Sequence, residues 1–265
     1  MLPRRSWTSL IHSTKIVKDN EAIQKKFYDK TFEQECVWSD ASFSESTKYF
    51  TNRFIDTTIK TNSKKILEIG CGNGLLTFFL LKKEKNITAI DISDKAIKNM
   101  HKQFSKEISE GKLKSVCGDI ISFMNNSEEK FDVIIGSGII HHIEKKDWHK
   151  LFSLAFEKLN PGGVFACGPE PNAGGIYRVC WRFAKFFYKL FGMDYDWEVE
   201  KGTLNMIPRV LESELKRAGF HNPKVLSFQS IPHFRLKILT FIDKKIIKYV
   251  SGKFSLYIIV KGEKI

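Results

Sequence analysis

The chain has 265 residues, 42% of them hydrophobic, enough for one substantial core and compatible with one large domain or two small ones. No apolar run approaches the roughly 18 residues needed to span a bilayer, and the five widely spaced cysteines (Cys36, Cys71, Cys117, Cys167, Cys180) include no C-x-x-C pair, which argues against a membrane anchor, a disulfide framework and a zinc site. The net charge of +13 would attract anions, but the basic residues are spread along the chain, which favours a solvated surface over a nucleic-acid patch.

Residues 1–19 read as a basic N-terminal arm, with Arg4, Arg5, Lys15 and Lys18 and no apolar h-region, a transit peptide being the alternative. Residues 20–62 read as a helical cap rich in aromatic side chains, Tyr28 and Trp38 among them. From residue 64 short apolar strands alternate with helices: "KKILEIG", a helix over about Leu75–Lys83, "ITAIDIS", a helix over "DKAIKNMHKQFSKEI" capped by Ser93 or Asp94, "KLKSVCGD" and "FDVIIGSG". A helix over "DWHKLFSLAFEKL", a "PGG" turn and a fifth strand, "VFACG", complete the series. That alternation predicts an α/β fold with a parallel sheet covered on both faces.

Residues 171–206 form an insertion after the fifth strand, in which "IYRVCWRFAKFFYKLF" carries Arg178, Arg182, Lys185 and Lys189 as one basic stripe on an otherwise apolar helix. Residues 207–265 supply a helix near Pro208–Ala218, strands near 224–230 and 255–260, and between those strands a second basic amphipathic helix over "RLKILTFIDKKIIKYV". Together, residues 20–265 read as a single domain whose cofactor-binding core is 64–170.

The most informative stretch is "ILEIGCGNGLLT", residues 66–77. A strand runs into Gly70, Gly72 and Gly74 and then into a helix, the arrangement of a nucleotide-type binding loop. The spacing is neither G-x-G-x-x-G, since position 75 is Leu, nor a Walker A loop, since no Lys-Thr or Lys-Ser pair follows. Asp91 ends the second strand, where a carboxylate can accept hydrogen bonds from both hydroxyls of a ribose.

The series Glu68-x-Gly70-x-Gly72-x-Gly74, with Asp91, Asp119 in "VCGDI" and the turn "LNPGG", resembles the class I S-adenosylmethionine-dependent methyltransferases over roughly residues 64–168. The resemblance implies a Rossmann-like seven-stranded sheet ending in an antiparallel pair, and S-adenosyl-L-methionine as cofactor. It assigns the cofactor to Glu68, Gly70, Cys71, Gly72, Gly74, Asp91, Ile92, Asp119, Ile120 and Ser137. His141 and His142, after the fourth strand, are the candidates for a general base. No metal site is expected; a degenerate, non-catalytic fold and an RNA or protein methyltransferase are the alternatives. "GPEPN", residues 168–172, is similar to a segment of the ubiquinone and menaquinone pathway methyltransferases and points to a small-molecule acceptor. The expected acceptor pocket is lined by Tyr28, Trp38, Tyr177, Trp181 and Phe187, with the insertion as a lid and contact with an anionic membrane as its other role. The expected location is cytoplasmic, peripheral to a membrane if that second role holds.

Overall fold

In β1 (Lys65–Ile69) every residue after Lys65 is buried, and alternation sends Leu67 and Ile69 to one face of the sheet and Ile66 to the other. In β4 (Phe131–Gly136) Ile134 faces the first side and Val133 and Ile135 the second, while Phe131, before an irregularity in the pairing with β5, joins the first cluster. Strands buried on both faces need helices on both faces. The computed structural model describes residues 21–33, 37–191, 197, 199–229 and 254–265, and places those helices accordingly. The basic arm 1–19 and the amphipathic segment 235–250 lie outside the described residues.

The sheet has seven strands in the order β3-β2-β1-β4-β5-β7-β6, with β2 (Asn86–Asp91), β3 (Leu113–Cys117), β5 (Leu159–Pro171), β6 (His221–Gln229) and β7 (Tyr257–Glu263). The pairs β3-β2, β2-β1, β1-β4 and β4-β5 are parallel, and β7 runs antiparallel to both β5 and β6, so the expected fold and its terminal antiparallel pair are both found. On one face Leu76, Phe79 and Leu80 of α3 (Leu75–Leu81) pack with Phe50, Phe54 and Ile55 of α2 (Glu45–Thr58) and with Ile97 and Met100 of α4 (Asp94–Gln103). On the other lie Met124 of α6 (Ile120–Asn126), Trp148, Leu151 and Phe152 of α7 (Trp148–Lys158), and Leu211 and Leu215 of α9 (Pro208–Arg217). Helical residues 21–31 (α1) and α8 (Tyr177–Leu190) complete the set.

Three local differences from the predicted elements have physical causes. The helix expected over 94–108 breaks at Phe104, whose buried ring packs under Gly74, and resumes as α5 (Ser105–Ser109). The "PGG" turn is absorbed into β5 as an irregularity in its pairing with β4, where Gly162 adopts a left-handed φ of 76°. The short α6, absent from the predicted elements, is nucleated by Asp119, whose carboxylate accepts the Ser122 N–H at 2.7 Å.

Phe152 is fully buried and meets Phe165 edge-on, with ring centroids 5.5 Å apart. Phe152→Ala is therefore expected to cost about 3–5 kcal/mol of unfolding free energy in urea titration. Phe183→Ala, on the exposed face of α8, should change it by less than ~0.5 kcal/mol.

Candidate active site

The order reverses between β1 and β4, and a cavity of about 450 Å³ lies beside the ends of these strands, where an open parallel sheet leaves a crevice. Its floor is the glycine loop. Gly70 and Gly72 hold φ of 66° and 50°, conformations an L side chain rarely adopts. A Cβ at Gly70 would stand 2.6 Å from the Ile139 side chain, so the loops leaving β1 and β4 approach this closely only because that side chain is missing.

Asp91 locks the loop. One carboxylate oxygen accepts the Gly72 N–H at 2.8 Å and the other the Ser93 N–H at 2.9 Å, while Ser93 in turn caps α4. Burial pushes the Asp91 carboxyl up, against the opposing pull of the Ser93, Gly72 and Ile92 N–H groups. Glu68, buried on the α3 side of β1, accepts the Thr77 hydroxyl at 2.6 Å and so ties the strand to the helix beyond the loop. Burial, reinforced by the nearby Asp91 charge, raises Glu68 to about 8.

Of the residues assigned to a cofactor, Glu68, Gly70, Cys71, Gly72, Asp91, Ile92, Asp119, Ile120 and Ser137 line the cavity. Gly74 does not. It is the N-cap of α3, with φ of 82° and its Cα hydrogens against Phe104, and its role is to turn the chain into the helix. Tyr28 and Trp38 also line the cavity, as does Phe32 of the same cap; the Trp38 indole N–H donates to the Asn73 carbonyl at 2.6 Å, and Asn99 donates to the Phe32 carbonyl at 2.9 Å. Tyr177, Trp181 and Phe187 are not among the lining residues. Tyr177 and Trp181 turn to Tyr257 and Trp197, and Phe187 is exposed, so the insertion helix does not supply the expected pocket wall.

The adjacent histidines occupy different environments. His142 faces the cavity, where Nδ1 lies 3.4 Å from the Val199 carbonyl and Nε2 2.6 Å from the Tyr28 hydroxyl. A proton on Nδ1 directed at Val199 leaves Nε2 to accept from Tyr28. His141 lies behind it, not in the cavity wall, with its ring 3.9 Å from that of His142. Its Nδ1 is 2.7 Å from Glu170, whose other oxygen accepts the N–H groups of Ile139 and Ile140 at 2.8 and 2.9 Å, and its Nε2 is 3.5 Å from Glu200. Burial opposes charge on His141, but the two carboxylates outweigh it and push the ring up to about 9. Burial, with the charge on His141 added, drives His142 down to about 4. At neutral pH the pair is one imidazolium held between two carboxylates and one neutral ring. His141, His142 and Glu200 place ligand-type atoms within 4.8 Å of one another, yet these distances and charges are those of an ion-paired network.

Glu170 and Glu200 were not among the predicted site residues, and only Glu170 left a trace, in "GPEPN". Glu200 is brought in by the return of the insertion, which packs so closely that a Cβ on Gly202 would meet the His141 carbonyl oxygen at 1.8 Å. Glu21, Glu144 and Asp147 were also missed. With Glu68, Asp91 and Asp119 they give the lining six carboxylic side chains and, among the described residues, no Lys or Arg. A basic protein thus encloses an acidic cavity, which offers a phosphate no charge partner and suits a cationic ligand.

Residues 66–163 match the family described as a methyltransferase domain. The malonyl-[acyl-carrier protein] O-methyltransferase of Priestia megaterium is 29% identical over 146 residues, 53% of this chain and 50% of that protein. The mitochondrial ubiquinone biosynthesis O-methyltransferase of Schizosaccharomyces pombe is 34% identical over 104 residues, 38% of this chain and 36% of that protein, so the matches span half or less of these relatives. A SAM-dependent methyltransferase from Archaeoglobus fulgidus superposes with a TM-score of 0.57 at 18% identity, covering 82% of this chain and 94% of that one, and so shares its fold. The glycine loop, the strand-terminal acids and the strand order agree with these matches: residues 66–163 match a methyltransferase domain, and the chain shares the fold of S-adenosylmethionine-dependent methyltransferases.

Proposed function

We propose that the protein is an S-adenosylmethionine-dependent methyltransferase that methylates a hydroxyl group on a small, partly apolar acceptor held beside Tyr28. The observation that carries this reading is the charge of the cavity: six carboxylic side chains and no Lys or Arg, beside a glycine loop without phosphate-binding chemistry. S-adenosylmethionine, when bound, supplies a methyl group already activated on a cationic sulfur. The residues present fit it. Asp91 would accept from the ribose hydroxyls, Asp119 from the adenine amino group, and Ile92 and Ile120 would flank the ring. Glu68 and its acidic neighbours would balance the positive charge.

The remaining work of the chain is positioning and proton removal. Phe32 and Trp38 contribute apolar wall to the cavity. The neutral His142 accepts the Tyr28 hydroxyl, so the phenol oxygen is polarised towards taking a proton from an acceptor hydroxyl while its own proton moves to His142. Burial and the His141 charge hold His142 down to about 4, so the ring rests neutral and able to accept from Tyr28, and Glu200 and Glu170 offset only part of the cost of the charge it takes on. The relatives are named for different acceptors, one for malonyl-[acyl-carrier protein] and one for ubiquinone biosynthesis, so the acceptor is to be found by experiment.

Asp91→Asn should weaken S-adenosylmethionine binding about 10- to 100-fold, corresponding to ~1.5–3 kcal/mol for lost charge-assisted hydrogen bonds, in calorimetric titration with thermal unfolding as the fold control. Unchanged affinity in a folded variant would remove Asp91 from the site.

Binding should also be coupled to pH through Glu68. The free carboxyl, raised to about 8, is protonated at neutral pH, and an incoming cation favours its ionised form. Protons are therefore released on binding near pH 7, and affinity rises as pH approaches 8. Titrations in buffers of different ionisation enthalpy should show this release in the wild type and not in Glu68→Gln.

Incubation with methyl-labelled cofactor and cell extract, followed by mass spectrometry, should yield a labelled small molecule. Tyr28→Phe should lower its rate of formation about 100-fold, the lower end of the usual range for general acid–base groups, and leave cofactor affinity unchanged. Label found only on polynucleotide or protein would overturn the small-acceptor reading.

A further inference from the structure

The insertion helix α8 is held to the body along one face and displays another. Trp181 and Tyr188 pack edge-on against Trp197, with centroids 5.1 and 5.8 Å away, and Arg178 donates to the carbonyls of Ala173 and Leu204 at 3.1 and 3.2 Å. The helix is thus a fixed appendage. Its other face is formed by Val179, Phe183, Phe186, Phe187 and Leu190, spaced i, i+4, i+7, i+8 and i+11, and these large apolar side chains are 47–62% exposed. Isolated exposed apolar residues are ordinary, but a contiguous row of this size marks a surface with an occupant.

Charge identifies the occupant. Arg182 is exposed beside the apolar row, Lys185, also exposed, holds its ammonium 5.3 Å from the Trp181 and Trp197 rings between that row and the anchored face, and residues 177–191 contain no Asp or Glu. A second copy of the helix would bring like charges together with no acid to pair them. An anionic bilayer satisfies both features at once: the phenylalanines enter the acyl boundary and the flanking cations meet headgroups. With 14 residues at about 1.5 Å each, α8 is too short to cross a hydrocarbon core of about 30 Å, so it must lie in the plane of the surface. We propose that α8 is a membrane-docking helix that holds this protein on anionic bilayers. The methyl-transfer reading is not needed for this inference.

The test is co-sedimentation of the full chain with vesicles of phosphatidylcholine alone or with 30% phosphatidylglycerol, the composition being the experimenter's choice. The expected result is binding to the anionic vesicles that weakens with added salt and is at least ten-fold poorer on the neutral ones. Phe183→Ser with Phe186→Ser should reduce it ten-fold or more, and Arg182→Glu with Lys185→Glu should remove the preference for anionic lipid, both with unchanged thermal unfolding and S-adenosylmethionine affinity. Equal binding by these variants and the wild type, or none by the wild type, overturns the proposal. So does a concentration-dependent dimer, seen by sedimentation velocity, that the phenylalanine substitutions abolish.

Discussion

Two adjacent parallel strands whose connections leave towards opposite faces cannot cover the gap between their own ends. β1 continues into α3 on one face and β4 leads to α7 on the other, and the space between the departing loops is where the cavity forms. The rest of the site elaborates that gap. The loop after β1 must stay low, which glycine permits, and the loop after β4 must lean over it, which Glu170 enforces by gripping two successive N–H groups, Ile139 and Ile140. The two loops meet where Gly70 lacks a side chain.

The legible parts of this arrangement are those written locally. A strand, a glycine turn and a helix occupy consecutive residues, and Asp91 and Asp119 are read from their positions at strand ends. Local patterning likewise narrowed the start of α4 to Ser93 or Asp94, and Ser93 is the N-cap. Parts assembled from distant segments were not legible: Glu200 reaches His141 from the far end of an insertion, and Glu21 comes from a separate helix. Gly74 was misread for a related reason. Its spacing matches that of Gly70 and Gly72, but only the packing of Phe104 shows that it serves the helix below. The aromatic side chains of α8 have a composition that suits a pocket wall, and periodicity alone does not say which face of a helix meets the body. Trp197 and Tyr257 decide that.

Net charge proved a poor guide to the interior. Among the described residues, cations such as Lys65, Lys112 and Lys114 stand on the surface and pair with nearby acids. The cavity has the opposite sign. Burial holds the Glu68 and Asp91 carboxyls above their ordinary range, and for Glu68 the nearby Asp91 charge adds to it, so a cation placed beside them would favour their ionised forms.

The cap over the glycine loop is fastened differently from the sheet beneath it. α1 reaches the core through Lys25 and Asp29, which pair with each other, with Asp94, and with the Ser93 hydroxyl at 2.6 Å. Pairs this exposed contribute about 0–1 kcal/mol each, whereas the helices on the two faces are held by buried apolar surface. Other ties on the same cap carry no net charge: the Tyr28 hydroxyl meets His142 at 2.6 Å, and Gln24, buried, donates to the Val199 carbonyl at 3.3 Å. Salt therefore screens one corner of the cap and leaves the other ties in place, so the cap's register over the cavity follows His142 more than ionic strength.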